Sequence, residues 1–235
     1  MGPALRLLVI TYKRAKSLER LLKSLDRAEY YGDRIDLDIW IDMPSSGSYN
    51  ADVVKVADDH AWKFGTKTVH KRASNGGLRA QWHDTWDASV PGGLKEDTPE
   101  RALILEDDLE LSPFYYKWLK ACHTSYGHRK DLAACSLQRA SLCAANCPNL
   151  EGGPPSATTN FMSPLVGSWG FSPTPTHWVR YTRWAKEFGA SGKKPYVAGH
   201  TPTAWYREFE KQGRCPGKNC MVGPVDYRAR VGGDK

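Results

Sequence analysis

The stretch Arg101-Ala102-Leu103-Ile104-Leu105-Glu106-Asp107-Asp108 runs an apolar segment straight into three consecutive acids. An apolar run without polar alternation reads as a strand buried on both faces of a sheet. Open sheets of such strands bind ligands beyond the carboxyl ends of the strands. Neighbouring carboxylates at that edge repel one another and call for a counter-charge. A hard divalent cation, magnesium or manganese, supplies it through oxygen ligands and bridges to phosphates. Side chains alternate along a strand, so Glu106 and Asp108 are expected on one side and Asp107 on the other. Glu110 falls near the same edge.

Upstream the same grammar repeats. Leu5 to Thr11 is a second buried strand, and Ala15 to Arg27 follows as a helix with Leu18, Leu21, Leu22 and Leu25 on one face. Ser17 or a neighbour is the expected cap. Ile35 to Ile41 reads as a strand closed by Asp42, Asn50 to Phe64 as a helix, and Thr66 to His70 as a short strand. After Ser74-Asn75-Gly76-Gly77 a helix is expected from Leu78 to about Ala88, then a loop over Pro91 to Pro99. Phe114 to Tyr126 reads as a helix after Ser112-Pro113. The alternation predicts an α/β fold with a mostly parallel central sheet and helices on both faces. Past Asp131 the pattern loosens. Leu132 to Leu137 is one more strand, Ala144 to Pro164 a long loop, and Trp178 to Phe188 and Thr203 to Gln212 are helices. The tail from Gly213 is weakly structured. One domain, 1–235, is expected, with a regular half over 1–130 and an irregular half over 131–235.

Composition narrows the classes. Hydrophobic residues make up 40% of the 235 and glycines number 21, which excludes a disordered chain and a fibre. No apolar run approaches the roughly 18 residues that cross a bilayer, so the chain as read has no transmembrane segment. The expectation is that it works where it is made, or that a targeting segment lies outside this chain. A net charge of +7 favours anionic partners such as nucleotides and phosphate esters. Nine tryptophans and eleven tyrosines suit a planar or saccharide ligand as well as core packing. The six cysteines allow small stapled loops at Cys143/Cys147 and Cys215/Cys220, or free thiols in a reducing compartment.

Other strand ends carry nucleotide chemistry. Tyr12 suits stacking on a base, Arg14 a forked contact to a phosphate, and Thr11 a hydroxyl contact. Asp42 suits a ribose hydroxyl or a base N–H. Lys71 and Arg72 follow the third strand, and Gly76-Gly77 let a phosphate approach backbone N–H groups. There is no G-x-G-x-x-G after the first strand and no G-x-x-x-x-G-K-[ST], which argues against a usual dinucleotide fold and a P-loop NTPase.

Together, Val9-Ile10-Thr11-Tyr12-Lys13-Arg14, Asp42, Asn75-Gly76-Gly77 and Leu103 through Pro113 resemble glycosyltransferases of the A-type (GT-A, nucleotide-diphospho-sugar transferase) fold. The closest flavour is the N-acetylglucosaminyltransferase I group. The resemblance implies sugar transfer from a nucleotide diphosphate sugar to a glycan or other hydroxyl acceptor, with no nucleic acid as partner. It implies a manganese (or magnesium) contact at Asp108, donor contacts at Glu106 and Asp107, and nucleotide contacts at Thr11, Tyr12, Arg14, Asp42 and Arg72. Residues 1–130 then form the nucleotide-sugar half and 131–235 the acceptor half. Pro164 to Phe171 resembles the family's acceptor-side glycine-aromatic segment. Where the family carries an acidic pair with the catalytic base, this chain has Glu208 followed by Glu210; Glu208 is the expected base, and Asp226 is a further acid of that half. Two other classes stay open: a metal-dependent nucleotidyltransferase, and a non-enzymatic saccharide- or nucleic-acid-binding module.

Overall fold

The computed structural model describes residues 4–87, 94–96, 98–137, 162, 167–190 and 211–212. Six strands form one sheet: β1 (Leu5–Thr11), β2 (Ile35–Ile41), β3 (Lys67–Lys71), β4 (Ala102–Glu106), β5 (Ala134–Ser136) and β6 (Phe171–Pro173). Five helices accompany them: α1 (Ala15–Asp26), α2 (Ala51–Asp59), α3 (Gly77–Asp84), α4 (Tyr115–Tyr126) and α5 (Pro175–Ala190). The order is β3-β2-β1-β4-β6-β5. β1 pairs in parallel with β2 and β4, and β2 with β3, whereas β6 runs antiparallel to β4 and β5. Thr11 lies beside Ile41 and Ile10 beside Glu106, so three strands end at one edge.

Strand alternation divides the core. Leu5, Leu7, Val9, Ile35, Leu37, Ile39, Leu103 and Leu105 face the leucine stripe of α1, Val53 and Ala57 of α2, and Tyr115, Tyr116 and Leu119 of α4. Leu8, Ile10, Ala102 and Ile104 face Trp82, Trp86, Phe171, Trp178 and Tyr181. These tryptophans are core, as volume-filling aromatics commonly are. Elsewhere on that second face the buried acids of β2 are paired. Asp38 accepts from Arg6 Nη1 at 2.7 Å and bonds His70 Nε2 at 2.7 Å, and Asp36 accepts from Arg34. Buried charge is tolerated on such terms.

Several boundaries depart from the sequence reading. α2 ends at Asp59 because His60 turns extended, and Trp62 and Phe64 swing round to pack on Tyr30. Trp62 Nε1 donates to Ile35 O at 2.7 Å, tying this bend to β2. α3 is shorter than expected, and α5 starts earlier, at Pro175. The cap expected at Ser17 is absent; the N-cap is Arg14, with no side-chain capping bond. Strand β6 begins at Phe171, the last residue of the segment expected on the acceptor side. Its Phe171 is buried in the second core, while Gly170 has φ +74° and a Cβ there would sit 2.8 Å from Leu137.

The cysteine reading changes too. Cys122 of α4 is joined to Cys135 of β5, 13 residues on, so neither local stapling nor free thiols describes this pair. The turn after α4 folds the chain back and brings the two together. Cys143, Cys147, Cys215 and Cys220, the loop over 144–161, most of 203–212 and the tail from Gly213 lie outside the described residues, as do Glu208, Glu210 and Asp226. No helix among the described residues is long and apolar enough to cross a membrane.

Two predictions arise from this packing. A 13-residue bridge contributes about 3 kcal/mol, so Cys122→Ser with Cys135→Ala is expected to lower the melting temperature by about 6–10 °C. Calorimetry checks it. Burial also pushes the imidazoles of His83 and His123 down from 6.5 to about 4. The unfolded chain takes up these protons below about pH 6.5 and the folded chain only near pH 4, so stability falls as pH drops through that window. Urea titrations at pH 7 and pH 5 are expected to differ by roughly 2–4 kcal/mol from these two groups, and His123→Gln to remove about half of the difference.

Candidate functional site

The site is the common edge where β1, β2 and β4 end. Thr11, the last residue of β1, is buried, and its Oγ1 donates to Asp107 Oδ2 at 2.7 Å. From the turn that leads into α1, Arg14 Nη2 pairs with Asp107 Oδ1, and Nη1 donates to Asp108 Oδ2 at 2.9 Å. The two acids differ in setting. The Asp107 side chain is 2% exposed, whereas those of Asp108 and Arg14 are 46% and 50% exposed. Desolvation works against the Arg14 cation, but the hydrogen bond to Asp107 and the charges of both acids outweigh it and raise its pKa.

Glu106 turns elsewhere. Its Oε1 accepts from Trp82 Nε1 at 3.2 Å, and burial, reinforced by the charge of Asp108, pushes its pKa up. Asp108 stays near enough to Glu106 for its charge to bear on it, as expected, but Asp107 does not point away from Asp108: both reach Arg14. β4 ends at Glu106 and the chain turns at once, with Leu109 N bonded to Glu106 O, so strand alternation stops there. The acids that converge are Asp107 and Asp108.

Asp42 builds the neighbouring wall. It is buried, and its carboxylate accepts from the N–H groups of Met43 at 3.0 Å, Gly76 at 2.9 Å and Gly77 at 2.9 Å. The glycine N–H groups expected to meet a phosphate are thus turned onto Asp42. Arg72 closes the loop, with Nε 3.8 Å from Asp42 and Nη2 2.6 Å from Asp84. Gly77 has φ +68° and so needs glycine, while a Cβ on Gly76 would lie 2.8 Å from Arg72 Nε and push that side chain aside. Lys71 pairs with Asp58. Tyr12 is 36% exposed with Lys13 Nζ 5.6 Å from its ring. Trp169 of the segment expected on the acceptor side is exposed.

Gln81 of α3 carried no signal in the sequence. Its Nε2 donates to Thr11 O at 3.2 Å and Trp40 O at 3.1 Å, bridging the ends of β1 and β2. Only its helix position, fixed by the glycine turn, puts it there.

Among the described residues, no group of three or more His, Cys, Asp or Glu side chains is disposed to hold a metal ion. A divalent cation here would rest on one carboxylate, with phosphates and water completing its shell, as magnesium often does. Asp108 fits that role: it is half-exposed, and its Oδ1 accepts no hydrogen bond among the described residues. Asp107 does not, because both of its oxygens are engaged. The Arg14 guanidinium stands as the cation between them.

No family model and no curated protein matches the chain. Solved structures do. The mannosyltransferase PcManGT from Pyrobaculum calidifontis, in complex with GDP-Man and Mn2+, superimposes with a TM-score of 0.53 at 12% identity, over 100% of this chain and 71% of that one. S. aureus TarS 1-349 gives 0.47 at 14% identity, over 79% of this chain. This chain spans about half of that fragment, 49% of its length. At these identities the likeness is one of fold: an α/β sheet, mostly parallel, flanked by helices. It does not single out the N-acetylglucosaminyltransferase I group.

The unequal burial of the two acids sets an expectation. Asp107→Ala leaves Thr11 and Arg14 without their buried acceptor and is expected to cost about 2–4 kcal/mol. Asp108→Ala breaks a solvated pair and is expected to cost under about 1 kcal/mol. Urea denaturation of the two variants measures the difference.

Proposed function

We propose that this chain is a glycosyltransferase of the GT-A type that moves a sugar from a nucleotide diphosphate sugar to a hydroxyl of a glycan or similar acceptor. The observation that carries the reading is the convergence of Thr11, Arg14, Asp107 and Asp108 at the shared carboxyl edge of β1 and β4. The fold is shared with a mannosyltransferase whose structure holds GDP-Man and Mn2+. Asp108 is the proposed contact for manganese or magnesium, and such an ion supplies neutralisation of the charge on the leaving diphosphate. Asp107 and Thr11 hold the edge rigid, so that Asp108 and Arg14 meet the donor in a fixed setting. Arg14, half-exposed at the start of α1, is the proposed partner of the diphosphate. Tyr12 is the proposed stacking surface for the base. Asp42 and Arg72 act by fixing the glycine turn beside it, and Glu106 stands at the donor-sugar side. Glu208 is the proposed base that takes the acceptor proton in an inverting transfer.

The test is a panel of nucleotide sugars incubated with the protein, with and without manganese, with free nucleotide measured. Manganese-dependent release from one donor is expected, lowered about 100-fold or more by Asp108→Ala. With that donor and an acceptor, Glu208→Gln is expected to slow transfer while leaving nucleotide binding intact. A protein that binds no nucleotide under any metal condition would end the proposal.

A further inference from the structure

Resting on the sugar-transfer reading, we propose that Arg14 is an exchangeable counter-ion. It holds Asp107 and Asp108 together when no donor is bound, and it passes from Asp108 to the donor diphosphate when a divalent cation takes that carboxylate. The asymmetry of its two contacts supports this. The Asp107 end is a pivot, because that carboxylate is buried and also fixed by Thr11 Oγ1 at 2.7 Å. Losing its cation would leave a buried charge with one neutral partner. The Asp108 end is a latch, because both partners are about half-exposed and an ion pair in that setting is weak. A dication brings twice the charge and prefers the same hard oxygen. It displaces Nη1 from Asp108 while Nη2 stays on Asp107.

The released half of the guanidinium then lacks an acceptor. Its planar donors match a phosphate. Arg14 is also the N-cap of the 12-residue α1, which has no acidic residue in its first turn and no side-chain cap. The N–H groups of that turn favour an anion beside Arg14. The exchange makes two binding events cooperative. Metal frees Arg14 for the diphosphate, and diphosphate draws Arg14 off the metal's carboxylate, so each ligand strengthens the other by the same factor. Without nucleotide, Arg14 competes with metal for Asp108.

Manganese binding to the full chain, followed by the electron paramagnetic resonance signal of the free ion, tests this with uridine and guanosine diphosphate as probes. Wild type is expected to bind Mn2+ alone weakly, and Arg14→Gln about tenfold more tightly. The same variant is expected to bind the nucleoside diphosphate without metal about tenfold more weakly, and to lose the share of the coupling that passes through Arg14 while keeping the share due to direct metal–phosphate contact. Arg14→Lys keeps a cation for Asp107 but has no fork to reach both acids. It too is expected to gain affinity for Mn2+, which keeps the test open if Arg14→Gln fails to fold. Mn2+ affinity equal to or below wild type in the folded variants overturns the exchange. If those variants and wild type still bind nucleotide, the sugar-transfer reading stands. If no form binds either nucleotide with or without metal, that reading fails and the exchange fails with it.

Discussion

A carboxylate buried at the end of a strand must find partners, and Asp107 finds two. The Thr11 hydroxyl reaches it from β1 and the Arg14 guanidinium from the start of α1. These contacts fasten three elements that meet at the sheet edge. Parallel register alone brings Ile10 and Glu106 to the same level, but it does not fix the turns that follow β1 and β4. The buried acid does, because moving either turn would strand a charge in a poorly solvated place. Asp108 and the free side of Arg14 are thereby held at the surface in a defined setting.

Asp42 repeats the device one strand over. Its carboxylate gathers the Gly76 and Gly77 N–H groups at the head of α3, so the residue that follows β2 caps a helix that follows β3. That cap sets the axis of α3, and with it the position of Gln81, which bridges the ends of β1 and β2. The two buried acids thus divide the edge between them. Asp107 secures the β1–β4 side and Asp42 the β2–β3 side. Asp108, Arg14 and Tyr12 are left exposed along it.

The second half of the molecule joins this frame through its core. Phe171, Trp178 and Tyr181 pack with Trp82 and Trp86 against the face of β1 and β4, and the Cys122–Cys135 bridge ties α4 to the edge strand β5. Antiparallel β6 lies beside β4 and extends the sheet on the flank away from β1. The end of the segment expected on the acceptor side is therefore structural: Phe171 is core, and Gly170 is required by its positive φ and the close approach of Leu137.

Local pattern determined the elements of the first half. Unbroken apolar runs marked β1 and β4, leucine spacing marked α1, and the acids after Leu105 marked the edge that matters, because burial on two faces and helical periodicity are properties of neighbouring residues. The partners of each side chain were decided only by the fold. Thr11 and Asp107 are separated by 96 positions and Asp42 and Gly77 by 35, and no spacing rule pairs them. The same holds for the end of α2, where Trp62 and Phe64 leave the helix to reach Tyr30, and for the disulfide. Alternation could not assign the three acids, since it lapses where a strand ends. There, hydrogen-bond demand in the folded chain sends Glu106 to Trp82 and the two aspartates to Arg14.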